Sequence, residues 1–190
     1  MNRKYFTKAT DIAKKIIEAR VKEGNVVIDA TVGNGYDTVF LAKLVGETGK
    51  VYGFDIQSKA IENTKNKLTD SNLLNRVILI KDSHENIDNY VNEKVDLVIF
   101  NLGYLPGGNH EITTKPDSTI KAIEKSLGIL KENGIIVLVI YHGHEMGELE
   151  KNSIEQFVKE LNQKQYTVIK FEFINQINNP PLIIAIEKNL

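Results

Sequence analysis

The 190-residue chain has no cysteine. Disulfide staples, thiolate nucleophiles and cysteine-built zinc sites are therefore excluded. No apolar run approaches the roughly 20 residues that a membrane span needs. The basic start Met1-Asn2-Arg3-Lys4-Tyr5-Phe6-Thr7-Lys8 lacks the apolar core of a signal peptide, so a cytoplasmic protein is expected. Internal repeats, low-complexity tracts and linker-like stretches are also missing. Charge of one sign is missing too, with 24 Lys and Arg against 25 Asp and Glu and a net charge of -1. No global field recruits nucleic acid, and any RNA contact has to come from a local basic patch. What remains is the balance of a soluble globular protein, 42% hydrophobic and 26% charged. The length suits one domain over 1–190, by a prior of about 150 residues per domain. Such a chain can bury roughly 70% of its unfolded surface.

Five apolar runs, Val26 to Ala30, Val51 to Asp55, Val77 to Ile80, Val95 to Phe100 and Ile135 to Tyr141, read as strands. They lack period-2 alternation, as expected for strands covered on both faces. Between them, Thr10 to Val21, Val39 to Val45, Ser58 to Leu68, Ser118 to Leu130 and Gly147 to Leu161 show helical patterning. Asn133-Gly134 is read as the stop after the fourth of these helices. The tail differs. Tyr166 to Ile174 and Leu182 to Glu187 form a hairpin-like pair across Asn175-Gln176-Ile177-Asn178-Asn179-Pro180-Pro181, expected to add an antiparallel edge strand. The expected fold is α/β: a seven-stranded, mostly parallel sheet with helices on both faces and an antiparallel C-terminal strand. Ligands in such sheets sit beyond the carboxyl ends of the strands.

The first strand ends in Asp29-Ala30-Thr31-Val32-Gly33-Asn34-Gly35, and a helix follows. The glycines let backbone approach a ligand that a Cβ would exclude. A dinucleotide fingerprint wants G-x-G-x-x-G, and Thr38 stands where the third glycine belongs. A carboxylate at this strand end repels phosphate and attracts a cation. The stretch therefore points to a cationic nucleoside cofactor, S-adenosylmethionine (SAM), and leaves the dinucleotide reading weakened but open. Asp55 ends the second strand about 20 residues further on, where a carboxylate can accept from ribose hydroxyls. Asp82-Ser83-His84 follows the third strand; there an acid could receive an adenine amino group, or Asp and Ser could simply cap a turn.

The fourth strand runs into Asn101-Leu102-Gly103-Tyr104-Leu105-Pro106-Gly107-Gly108-Asn109-His110. About 16 residues separate it from the next helix, longer than a typical connection, and long loops at a ligand face are commonly functional. Asn101 and Tyr104 have the spacing of the Asn-Pro-Pro-Tyr motif of amino methyltransferases, with Leu102 and Gly103 replacing both prolines. Methyl transfer from a sulfonium is an in-line displacement that depends on positioning a free lone pair. A neutral carbonyl can orient an amine without adding charge. After the fifth strand come Tyr141-His142-Gly143-His144-Glu145. Without further ligands nearby, a metal is disfavoured here. The histidines are read as lining a substrate or RNA cleft, with turn caps as the alternative.

These segments resemble the class I, Rossmann-like SAM-dependent methyltransferases, in which acid-x-Gly-x-Gly-x-Gly follows the first strand; Thr31 replaces the first glycine. The resemblance implies that Asp29, Gly33 and Gly35 approach the methionine part of SAM, Asp55 the ribose, and Asp82 with Ser83 the adenine. Thr31, Asn34, Ile56, Gln57 and His84 complete the expected cofactor set. The stretches 29–38, 101–108 and Tyr-His-Gly-His at 141–144 are more specific. Together they resemble the small bacterial family labelled "putative rRNA methylase", whose members are assigned as tRNA 5-(aminomethyl)-2-thiouridine methyltransferases. That resemblance implies N-methylation of the aminomethyl group on the wobble uridine, with the anticodon loop of tRNA as partner. Asn101 and Tyr104 are then catalytic, and Leu105, Gly107, Gly108, His110, Tyr141, His142 and His144 bind substrate. Arg3, Lys4, Lys8, Lys115 and Lys121 are candidates for the RNA backbone, Thr113 and Thr114 for phosphate. A homodimer would give a small catalytic domain more surface for tRNA. The alternatives are an rRNA methyltransferase, a methyltransferase for small amines, and a nucleotide-binding module without catalysis.

Overall fold

The computed structural model describes residues 8–103 and 113–190. Its elements alternate as the apolar pattern requires: α1 (Ala9–Arg20), β1 (Val26–Asp29), α2 (Tyr36–Leu44), β2 (Lys50–Phe54), α3 (Ser58–Asp70), β3 (Val77–Ile80), β4 (Val95–Leu102), α4 (Pro116–Ile129), β5 (Leu130–Ile140), α5 (Glu145–Lys159), β6 (Tyr166–Phe171) and β7 (Leu182–Lys188). The strands form one sheet in the order β3-β2-β1-β4-β5-β7-β6. The expected α/β class and seven strands are borne out.

Missing alternation is explained by two cores, one on each face. Ile28, Val98, Phe100, Ile136, Leu138 and Ile140 pack with α4 and α5. Their neighbours Val27, Leu97, Ile99, Val137 and Val139 pack with α1, α2 and α3. Helix α1 shows its apolar stripe plainly, burying Ala9, Ala13 and Ile17 at four-residue spacing.

Two boundaries correct the expectations. The antiparallel strand is not at the edge: β7 lies between β5 and β6, antiparallel to both, and β6 is outermost. Burial accounts for the order, because Leu182 to Ile186 is buried throughout while β6 is mostly exposed. Helix α4 ends at Ile129, before the Asn133-Gly134 stop. Leu130 is buried and pairs with Val95, and the register resumes at Leu97 with Ile135. Residues 131–134 thus form a bulge, in which Asn133 takes φ 58.

Among the described residues no helix is long and apolar enough to cross a membrane. Tyr104, Leu105, Gly107, Gly108 and His110 lie outside the described residues, as do Arg3 and Lys4.

Candidate active site

A cavity of about 1040 Å³ opens at the carboxyl ends of the strands. Pockets for one drug-sized ligand span about 300–1,000 Å³, so there is room for a cofactor and part of a second molecule. One half is walled by Thr31 to Asn34, Phe54 to Gln57 and Asp82 to Glu85; the other by Asn101 to Gly103, Thr113 to Lys115, Tyr141 to His144 and Asn178 to Pro181.

The first turn is braced from within. Asp29 is fully buried and does not reach the wall. Its carboxyl accepts from the Thr31 N–H at 3.1 Å and the Thr38 hydroxyl at 2.6 Å. Desolvation by burial pushes it up to about 7, against the Thr38 hydrogen bond. Asp29 therefore supports the turn, and the acid of the first turn that lines the cavity is Asp37. Gly33, at φ 51, sends its N–H to Asp55 Oδ2 at 2.8 Å. Gly35, at φ 78, is buried, and a Cβ there would run into Thr64 of α3. Its glycine serves helix packing, not ligand approach.

Asp55 stands at the end of β2 with Oδ1 accepting from the Gln57 N–H at 2.9 Å. Ile56 is 55% exposed on the cavity wall, an apolar side chain left open where a base could lie. Asp82 receives the Ser83 N–H, the Asn86 amide and the Tyr90 hydroxyl, which hold its carboxyl below the usual range; the Tyr90 bond contributes most. Ser83 caps the following 3-10 turn, His84–Asn89. His84 is buried, and its Nδ1–H donates to the Ala30 carbonyl at 3.2 Å, since a carbonyl only accepts. Burial holds the imidazole below its ordinary pKa. Asn34 and Lys67 are joined through the Asn34 carbonyl at 2.8 Å, and Lys67 lies over the Tyr36 ring at 3.8 Å.

Asn101 is held by two hydrogen bonds on the far side. Its N–H donates to Thr31 Oγ1 at 2.7 Å, and its Nδ2 donates to Asp37 Oδ2 at 2.6 Å. Its Oδ1 is buried with no partner among the described residues. A glycine at position 31 could not supply this acceptor. Gly103 exchanges hydrogen bonds with Thr114, whose hydroxyl donates to Glu150 at 2.6 Å. Glu150 is buried in α5 and also accepts from the Thr119 hydroxyl at 2.6 Å; burial raises its pKa. Tyr141 lines the cavity at 41% exposure. His142 Nε2–H donates to the Pro180 carbonyl at 3.0 Å and ties the β6–β7 connection to the end of β5. His144 caps α5, its Nδ1 accepting from the Gly147 N–H. Both histidines line the cavity. Among the described residues no group of three or more His, Asp or Glu could hold a metal ion.

Sequence reasoning missed Asp37, Glu150 and Asn178 to Pro181. Asp37 reads as an ordinary first-turn acid. Asn178 and Asn179 carry a signal, an Asn-Asn-Pro-Pro turn, and both adopt positive φ, 67 and 47. Nothing local says that this turn reaches the cavity.

A family model described as "Putative rRNA methylase" matches residues 51–187. A second, described as protein-L-isoaspartate O-methyltransferase, matches residues 7–90. Among solved structures, a putative rRNA-methylase of Clostridium thermocellum is 50% identical, covers 97% of this chain and 100% of its own, and has a TM-score of 0.96. A putative methyltransferase of Streptococcus mutans, crystallised with S-adenosylhomocysteine (SAH), is 39% identical over 96% of this chain and 99% of its own, TM-score 0.88. An Arabidopsis thaliana protein named tRNA (mnm(5)s(2)U34)-methyltransferase, chloroplastic, is 38% identical over 95% of this chain and 70% of its length. The cavity has room and groups that fit the same cofactor: the Asp55 carboxylate at the end of β2, an acceptor for hydroxyls, and beside it the open apolar Ile56. With that fold, that cavity and those relatives, the chain belongs to the rRNA methylase family and is a SAM-dependent methyltransferase.

Proposed function

We propose that the chain methylates the aminomethyl nitrogen of 5-aminomethyl-(2-thio)uridine at the tRNA wobble position, giving 5-methylaminomethyl-(2-thio)uridine. The observation that carries this reading is Asn101 on the cavity wall, whose buried Oδ1 is an acceptor without a partner among the described residues. Buried polar groups are almost always paired, so this oxygen awaits a donor, and an amine N–H is the donor that methyl transfer would bring. The Arabidopsis relative's name supports the same substrate.

When bound, SAM supplies an electrophilic methyl on its sulfonium. The chain's own part is positioning. Asn101 Oδ1 accepts one N–H of the neutral amine and turns its lone pair toward the methyl. Tyr104 is assigned the stacking partner of the splayed base, as single-stranded loops permit, with Leu105, Gly107, Gly108 and His110 beside it. Asp55, Ile56 and Gln57 hold the cofactor's ribose and base end, and Asp82, Ser83 and His84 its adenine edge. Tyr141, His142 and His144 face the substrate, and Lys8, Lys115 and Lys121 meet the RNA backbone. The anticodon loop as partner, a homodimer and a cytoplasmic setting belong to the same proposal.

The test is a nucleoside analysis of tRNA from cells lacking the gene, paired with in vitro methylation of that tRNA. Loss of the methylaminomethyl nucleoside and its restoration by the pure protein are expected. Unchanged tRNA with a lost rRNA methyl group would replace the reading with the ribosomal one that the family label suggests.

A further inference from the structure

We propose that Asp37 is a positioning residue for methyl transfer, fixing the Asn101 side-chain amide with its carbonyl toward the cavity. The inference rests on the reading that Asn101 receives an amine.

An asparagine amide can sit in two orientations that differ by a flip of oxygen and nitrogen. The backbone of Asn101 is already held by Thr31 Oγ1 at 2.7 Å, so this flip is the freedom that remains at the end of the side chain. Asp37 removes it. Its Oδ2 lies 2.6 Å from Asn101 Nδ2, and its Oδ1 lies 3.4 Å from Lys14 Nζ. A carboxylate paired with a lysine offers only acceptors. The flipped amide would set two oxygens against each other at hydrogen-bond distance, so the amide nitrogen must face Asp37. The carbonyl then faces the other way, buried and without a partner among the described residues. An amine N–H can bond that carbonyl, whereas a flipped amide would present N–H to N–H. Both Asp37 and Asn101 line the cavity, so this pair sits where the orientation matters.

The same geometry distinguishes Asp37 from an acid that merely caps a helix. A first-turn acid of α2 would point to free backbone N–H groups, but this one spends both oxygens on side chains, Asn101 and Lys14. It acts through Asn101, and its effect should vanish when Asn101 has no amide.

A double-mutant cycle tests this, using Asp37→Ala, Asn101→Ala and the pair in the full chain, assayed on tRNA carrying 5-aminomethyl-2-thiouridine. Misplacing a reacting group by about 1 Å can cost about 100-fold. Asp37→Ala is therefore expected to lower kcat about 10- to 100-fold, with KM for tRNA and SAH affinity within about twofold. The double variant should be no slower than Asn101→Ala alone, because effects through a shared partner are not additive. Asp37→Asn, which keeps one acceptor but lets both amides turn, should fall between wild type and Asp37→Ala; it also serves if the alanine variant fails to fold. Equal slowing by Asp37→Ala in both backgrounds would overturn the inference in favour of direct contact with substrate. So would a loss confined to SAH binding or to Tm, or wild-type turnover in both Asp37 variants. Wild-type turnover by Asn101→Ala would instead remove the amine-orienting reading and this inference with it.

Discussion

Thr31 Oγ1 accepts the backbone N–H of Asn101 at 2.7 Å, joining the turn after β1 to the end of β4. With the Asp37–Asn101 bond beside it, this contact ties the cofactor half of the cavity to the far half. Thr31→Val keeps the shape and removes the acceptor. An unsatisfied buried N–H costs about 1–3 kcal/mol, so Tm should drop by a few degrees. Methyl transfer should fall further than SAH affinity does, while Thr31→Ser should restore both. Equal losses in turnover and affinity would mean that Thr31 serves the cofactor alone.

Asp29 makes stability depend on pH in an unusual direction for a carboxyl group. Its folded pKa of about 7 lies above the ordinary 3.8. Between these values the folded state holds a proton that the unfolded chain releases, so its contribution to stability declines as pH rises from about 4 to about 7 and levels off beyond. The slope for one proton is at most about 1.4 kcal/mol per pH unit. Urea denaturation of wild type and Asp29→Asn at several pH values should show a shallower decline in the variant. Parallel curves would mean that Asp29 titrates normally in the fold.

Glu150 anchors both Thr114 and Thr119, and through Thr114 it holds Gly103. Glu150→Ala leaves the buried Thr119 hydroxyl unpaired and frees the Thr114 hydroxyl that receives the Gly103 N–H. Tm should fall, with a cost of about 1–3 kcal/mol for each buried group left unpaired. In whatever folds, methyl transfer should fall more than SAH affinity. Calorimetry with SAH beside a turnover assay measures both.

Asp55 and Ile56 should separate by the size of their effect on the cofactor. Asp55→Ala is expected to weaken SAH binding by more than tenfold, which is about 1.4 kcal/mol. Part of that loss comes through Gly33 and Gln57, whose N–H groups it also receives. Ile56→Ala, which trims an open apolar side chain, should weaken binding several-fold with Tm unchanged. Unchanged affinity in either variant removes that residue from the cofactor site.

Much of this molecule could be read before its structure. The strands β1, β2, β4 and β5 announce themselves because both faces are buried, β3 by its apolar run although Ile78 is exposed at the sheet edge, and Asp55 follows from its place after the second strand. The cofactor is legible too, although the acid that suggests it, Asp29, lies buried behind the turn. Asp29 looks exposed in sequence, but Thr38, nine positions on, reaches back to bury and bond it. Asp37 was unreadable because its meaning lies in Asn101, which is brought next to it only when β1 and β4 pair. The end of α4 escaped for the same reason: Leu130 has a helical pattern, but the buried pairing with Val95 takes it into the sheet.

The direction of β7 has a practical consequence. The strand starts beside the end of β5, at Leu182 with Ile140, and runs back to Glu187 beside Ile135. The polypeptide therefore leaves the sheet at the rim opposite the cavity. An affinity tag, fluorophore or surface linker fused after Leu190 would hang from the back of the molecule, leaving the mouth of the cavity clear. A truncation that removed β7 would instead take away the strand that carries Pro180 and Pro181 to the cavity wall.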